Sequence, residues 1–115
     1  MPRNISFSLT TDQIRHRTKT VTRRKGWKRL EPGTVLNACV KCMGLKPGEK
    51  IEKICQIRVV DVRREPLTAI IDEGQAGADR EGYPLISPRR FVEVFCEHMG
   101  GDENQEVTRI EFEYV

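Results

Sequence analysis

Long apolar runs are missing from this 115-residue chain: no stretch approaches the 18 or so residues of a membrane span, so no membrane association is expected. The N-terminal segment has no unbroken apolar core, because Asn4, Ser6, Ser8, Thr10 and Thr11 interrupt it; a secretory signal is not expected, and the expected compartment is the cytoplasm. Internal repeats and low-complexity linkers are also absent, so a single domain over residues 1–115 is expected. Histidine occurs only at His16 and His98, which leaves a cysteine nucleophile short of partners. Cys39 and Cys42 form a C-x2-C pair, and His98 follows Cys96 closely, but no second pair completes a structural zinc site. The expectation is that Cys39, Cys55 and Cys96 fill apolar positions, that Cys42 is a reduced thiol in a loop, and that no metal is bound.

Acidic residues are missing from one segment. Arg15 to Arg29 carries eight cations (Arg15, Arg17, Lys19, Arg23, Arg24, Lys25, Lys28 and Arg29) and no Asp or Glu, whereas the other 100 residues carry 12 cations against 17 acids. A basic block on an otherwise acidic chain attracts a polyanion to one face, through release of counterions from phosphates. Nucleic acid or a nucleotide is therefore the leading partner; the plainer alternative is a solvated basic loop.

Periodicity supplies the elements. Ile5, Phe7 and Leu9 alternate with polar residues as a half-buried first strand, and Thr10 or Thr11 can cap a short helix reaching Arg17. Thr18 to Arg24 reads as a short strand running into the basic loop at Lys25-Gly26-Trp27, and Pro32-Gly33 turns into a strand from Thr34 to about Val40. After a turn at Lys46-Pro47-Gly48-Glu49, Ile51 to Arg63 is apolar on both sides in its middle, as in a central strand. A helical stretch from Asp72 to Glu81 is interrupted by Gly74 and Gly77. The clearest helix starts at the Ser87 cap with Pro88 first, buries Phe91, Val94 and Phe95, and stops at Gly100-Gly101. Arg109 to Tyr114 alternates as a closing strand. The expected class is α+β: a small mixed or antiparallel β-barrel with two or three short helices inserted.

Within the basic block, Lys19-x-x-Thr22-x-Arg24 is the candidate for chemistry. A threonine hydroxyl attacks only if a base takes its proton, and lysine is that base only when burial or nearby cations destabilise its ammonium. Arg17, Arg23 and Arg24 supply such cations in sequence, and Ala78-Asp79-Arg80-Glu81-Gly82 offers a carboxylate. In a regular strand Lys19 and Thr22 point to opposite faces, so they converge only where the segment bends. The plainer reading is a strand threonine beside a surface lysine.

The string Lys19-Thr20-Val21-Thr22-Arg23-Arg24, then Pro32-Gly33-Thr34-Val35-Leu36, a long strand, and a helix ending Ala78-Asp79-Arg80-Glu81-Gly82 together resemble the ASCH domain family, small proteins with a PUA-like β-barrel. The loop Met43 to Lys50 is also similar to one in phage and bacterial ASCH-domain proteins. The resemblance implies a barrel pocket for a nucleotide base, with RNA or a modified nucleoside as partner and no cofactor. One branch, the bacterial N4-acetylcytidine amidohydrolases, implies a catalytic set of Lys19, Thr22 and Glu81, with Asp79 or Glu73 as alternatives for the carboxylate. Arg17, Arg23, Arg24, Lys25, Trp27, Lys28 and Arg29 would then hold phosphate or RNA, although Trp27 can equally be a core residue. A noncatalytic RNA-binding module and a metal-independent ribonuclease are the alternatives the family allows.

Overall fold

The computed structural model describes residues 2–42 and 45–115, so Met43 and Gly44 of the expected loop lie outside the described residues. In chain order the elements are β1 (Arg3–Ser6), α1 (Thr11–Arg15), β2 (Val21–Arg24), β3 (Val35–Cys39), β4 (Lys53–Pro66), α2 (Ala69–Glu73), α3 (Gln75–Arg80), α4 (Pro88–Met99) and β5 (Glu106–Tyr114). The strands form one sheet in the order β1-β3-β4-β5-β2, with β1 parallel to β3 and every other pair antiparallel. The expected α+β class with a mixed sheet therefore holds: the sheet curls into a half-barrel accompanied by helices. Gly74, with φ of 73°, splits the helical stretch before Glu81 into α2 and α3, which brings the helices to four among the described residues.

β4 takes the central place its apolar middle calls for, flanked by β3 and β5. A bulge between Val59 and Asp61 lets both faces of that run be apolar: Val59 is buried and Val60, the extra residue, is exposed. β1 is shorter than its alternation suggests. It ends at Ser6, the Phe7 amide still donates to the Cys39 carbonyl, and the chain then turns so that Leu9 stands half exposed. Thr10 takes the N-cap position of α1 without a side-chain cap hydrogen bond, and the Thr11 hydroxyl donates back to the Phe7 carbonyl. α4 follows its signals closely: Ser87 Oγ accepts from the Arg90 amide at 3.1 Å, Pro88 opens the helix, and Gly100 ends it at φ of 78°.

The apolar interior has two parts. One lies inside the half-barrel, where Ile5, Phe7, Leu36, Ile57, Ile110 and Phe112 pack with Ile14 of α1. The other joins Leu67 and Ile70 to Phe91, Val92, Phe95 of α4 and Val107 of β5. Cys39 is buried, while Cys55 and Cys96 are half-buried against the two clusters; all four thiols are free. Among the described residues, no helix is long and apolar enough to cross a membrane, and no group of three or more His, Cys, Asp or Glu is placed to hold a metal ion.

Candidate functional site: a buried lysine–glutamate pair in an amphipathic cleft

The edge strands β1 and β2 do not pair with one another, and a cleft of about 140 Å³ opens where they face each other between the two apolar clusters. Lys19 precedes β2, so strand alternation does not separate it from Thr22; Thr22 and Arg24, two apart, share the cleft-facing side. The segment is fixed in place from three directions. Arg17 reverses the chain after α1 with φ of 60°, the Thr20 amide donates to the Arg80 carbonyl at 2.8 Å, and Tyr114 Oη donates to the Lys19 carbonyl at 2.5 Å.

Glu81 ends α3 and is 1% exposed. Lys19 Nζ donates to its Oε1 at 2.7 Å and to its backbone carbonyl at 2.8 Å, while Arg23 donates to Oε2 at 3.0 Å. Gly82 makes the turn that allows this approach: its φ is 94°, and a Cβ there would lie 2.8 Å from Gln13 Cγ. Burial pushes the Lys19 ammonium toward its neutral form; Glu81 opposes this, Arg24 and Arg23 add to it, and the net direction is down from the ordinary lysine value.

Behind the pair lies a network of charges. The Arg23 side chain has no exposed surface and also donates to Glu73 and, at 3.5 Å, to Glu65. Glu73 in turn accepts from Arg109 at 3.1 and 3.2 Å and from Arg80 at 3.3 Å. Burial pushes the Glu73 carboxyl up, but the Arg109 hydrogen bonds and the charges of Arg23, Arg109 and Arg63 outweigh it and hold the group below its ordinary value. Pairing of this density is what makes so many buried charges tolerable, since each one alone carries a desolvation cost of several kcal/mol, on the order of the stability of a whole domain.

Arg24 is placed differently. Its Nε donates to Thr22 Oγ1 at 3.0 Å, its Nη2 donates to the Ser6 carbonyl at 2.5 Å, and its guanidinium lies 4.9 Å from the centre of the Phe7 ring. It thus bridges the two edge strands with no carboxylate within ion-pair distance among the described residues, and burial pushes its pKa down to about 10 despite the field of Glu81. The opposite wall is apolar: Phe91, Val94, Phe95 and Met99 of α4, with Tyr83, Leu9 and Phe7.

The sequence-derived set divides along these lines. Lys19, Thr22 and Glu81 meet at the cleft, as do Arg24 and the buried Arg23. Of the three candidate carboxylates, Glu73 lies behind Arg23 and Asp79 is exposed beside Gln75, so among the described residues Glu81 is the one that contacts Lys19. Arg23, expected at a phosphate, is enclosed by Glu65, Glu73 and Glu81, because three carboxylates draw its guanidinium inward; its free Nε has no surface to offer a ligand. Arg17, Lys25, Lys28 and Arg29 are exposed. Trp27 is half-buried against the barrel core, with the Arg3 guanidinium 4.3 Å from its ring centre, so that face is already covered. Val94 is half-buried and faces the cleft rather than the core. Tyr83 was not singled out in the sequence, and His98 and the Phe7–Thr10 turn were read in other roles, since only the separation of β1 from β2 brings them together at the cleft.

No family model and no curated protein matches the chain. Solved structures do. Hypothetical protein PH0355 superposes with a TM-score of 0.67 at 15% identity, with both chains covered in full. Protein EF3133 from Enterococcus faecalis V583, of the family-model DUF984, gives 0.63 at 14% identity over all of this chain and 80% of that one. The ASCH domain from Lactobacillus crispatus JV V101 gives 0.55 at 16% identity over 97% and 78% of the two chains. At these identities the likeness is one of architecture, and what it establishes is that this chain has an ASCH-like fold.

Proposed function

We propose that the cleft accepts the base of a modified nucleoside and hydrolyses the acetyl amide of N4-acetylcytidine. The observation that carries this reading is the Lys19–Glu81 pair, buried and yet lining the same cleft as Thr22. A neutral lysine has two N–H bonds and one lone pair. Glu81 Oε1 and its carbonyl take the two N–H donors, which leaves the lone pair to receive a proton. The Thr22 oxygen accepts from Arg24, so its own hydrogen is free to leave, and the adjacent guanidinium stabilises the oxygen as it gains charge. In the proposed sequence Thr22 Oγ1 adds to the acetyl carbon as Lys19 takes the hydroxyl proton. The C–N bond then breaks, Lys19 returns the proton to the departing cytosine amine, and water cleaves the acetyl-threonine ester to acetate with Lys19 again as base. Glu81 orients Lys19, and the aromatic wall of Tyr83, Phe91 and Phe95 suits a flat ring.

The test is incubation of the purified protein with N4-acetylcytidine beside Thr22→Ala. Cytidine and acetate from the wild type alone support the proposal; no conversion at high protein concentration ends it. A second reading, a noncatalytic RNA-binding module, is favoured by the exposed Arg17, Lys25, Lys28 and Arg29. It calls for RNA affinity that falls steeply with salt, and salt-insensitive binding removes it.

A further inference from the structure

A second hollow of about 280 Å³ lies between the end of α1 and the start of β4. Three cations line it: Arg15, Arg17 and Lys53. The one acid in its wall, Glu52, is engaged by Arg15 at 2.5 Å, and among the described residues neither Arg17 nor Lys53 has a carboxylate within ion-pair distance. Cys55 also lines the hollow, and burial pushes its thiol up despite the charge of Arg17, so it remains neutral and offsets neither cation. Like charges gathered around a concave surface repel one another unless an anion enters between them.

Arg17 holds φ of 60° where the chain reverses after α1, its amide donating to the Ile14 carbonyl and the Thr18 amide to that of Gln13. Its exposed guanidinium lies 5.4 Å from the centre of the Tyr114 ring, at the edge of the hollow. A guanidinium fork beside an ammonium matches the oxygens of a phosphate group better than a single carboxylate.

We propose that this hollow is a phosphate-binding site, separate from the cleft, built from Arg17 and Lys53 with Arg15 at its rim. The phosphate comes from a nucleic-acid backbone or from a free phosphate species, and the chemistry of recognition is the same for both. The site does not depend on what the cleft does. Its connection to the cleft is physical: Arg17 lies against the Tyr114 ring, and Tyr114 holds the Lys19 main chain.

The test uses the whole chain and two probes, inorganic phosphate and an eight-nucleotide single-stranded RNA, followed by backbone amide NMR shifts and by titration at several salt concentrations. The variant is Arg17→Gly combined with Lys53→Gln; glycine accepts the left-handed φ, so the fold is retained, and a thermal melt verifies it. Expected are shifts at residues 14–17 and 52–55 on addition of at least one probe, and weakening of that probe at least about tenfold in the double variant. Response to phosphate alone assigns a free phosphate species. Weakened RNA binding with a smaller salt slope, by about 0.7 for each phosphate that the variant no longer neutralises, assigns the backbone. Shifts confined to the cleft residues, or equal affinity of wild type and variant for both probes, overturn the proposal.

Discussion

Replacing Glu81 by alanine leaves two buried cations facing a void, and the structure says which of them suffers more. Arg23 keeps Glu73 and Glu65, but Lys19, whose side chain is 4% exposed, keeps only the Glu81 backbone carbonyl. Breaking a buried pair from one side costs about 3–5 kcal/mol, out of about 6–17 kcal/mol expected for a chain of this size. At about 4 °C per kcal/mol, the melting temperature falls by about 12–20 °C. The loss is pH-dependent with a definite sign. Burial already lowers the Lys19 value in the folded state, and removing Glu81 removes its main opposing influence, leaving Arg24 and Arg23 to lower it further. The folded chain then binds fewer protons than the unfolded chain, so stability climbs as pH rises from the depressed folded value toward the ordinary lysine value of 10.5. The deficit of Glu81→Ala is therefore greatest at the acid end of the titration and shrinks as pH rises from neutral toward the ordinary lysine value of 10.5. Melts followed by circular dichroism across that range test it, with Lys19→Met/Glu81→Ala beside the single variant. Removing the stranded ammonium should restore part of the loss and abolish its lysine-derived pH dependence. A deficit under about 3 °C, or one unchanged across the range, refutes the reasoning.

Three further outcomes follow from individual side chains. Glu73 is held below its ordinary value of 4.5, so its contribution is complete above that pH and lost as pH falls through the lower folded value; Glu73→Gln should be less stable at neutral pH but show a shallower acid limb in urea titrations. Gly82→Ala combines a φ of 94° with a 2.8 Å approach to Gln13 Cγ, and should cost about 2 kcal/mol in chemical denaturation while shifting the Lys19 resonances; a neutral effect contradicts the described turn. Val94→Trp should fill the cleft from α4 with little change in melting temperature and at least about tenfold weaker nucleoside binding by calorimetry, because Val94 is half-buried and its side chain borders open volume.

The fold was legible where one strong local signal met no competitor. The Ser87-Pro88 start and Gly100-Gly101 stop frame α4 almost to the residue, and the doubly apolar run of β4 identifies the central strand, although its partner-dependent end at Pro66 lies beyond the periodic pattern. β1 misleads because alternation continues through Leu9, while the Thr11 hydroxyl turns the chain at Phe7; a side-chain hydrogen bond of that kind has no periodicity to detect. Val94 misleads for a related reason. Helical spacing assigns it a face, but whether that face meets core or cleft depends on β1 and β2 failing to close the barrel, which is a property of the sheet and not of α4.

The basic block behaves the same way in charge. Eight cations without an acid suggest one continuous surface, yet each strand residue takes the side that its register dictates. Arg23 pairs across the sheet with Arg109, and both turn toward Glu73, on α2, some fifty and thirty-six residues away in sequence from the two arginines respectively. Its neighbour Arg24 faces the other way, across the gap to Ser6. Composition therefore locates the basic segment but cannot apportion it. Arg23 stabilises the buried carboxylates that hold Lys19, Arg24 bridges the two edge strands at the cleft, and Arg17, at the edge of a separate hollow, has no carboxylate within ion-pair distance among the described residues.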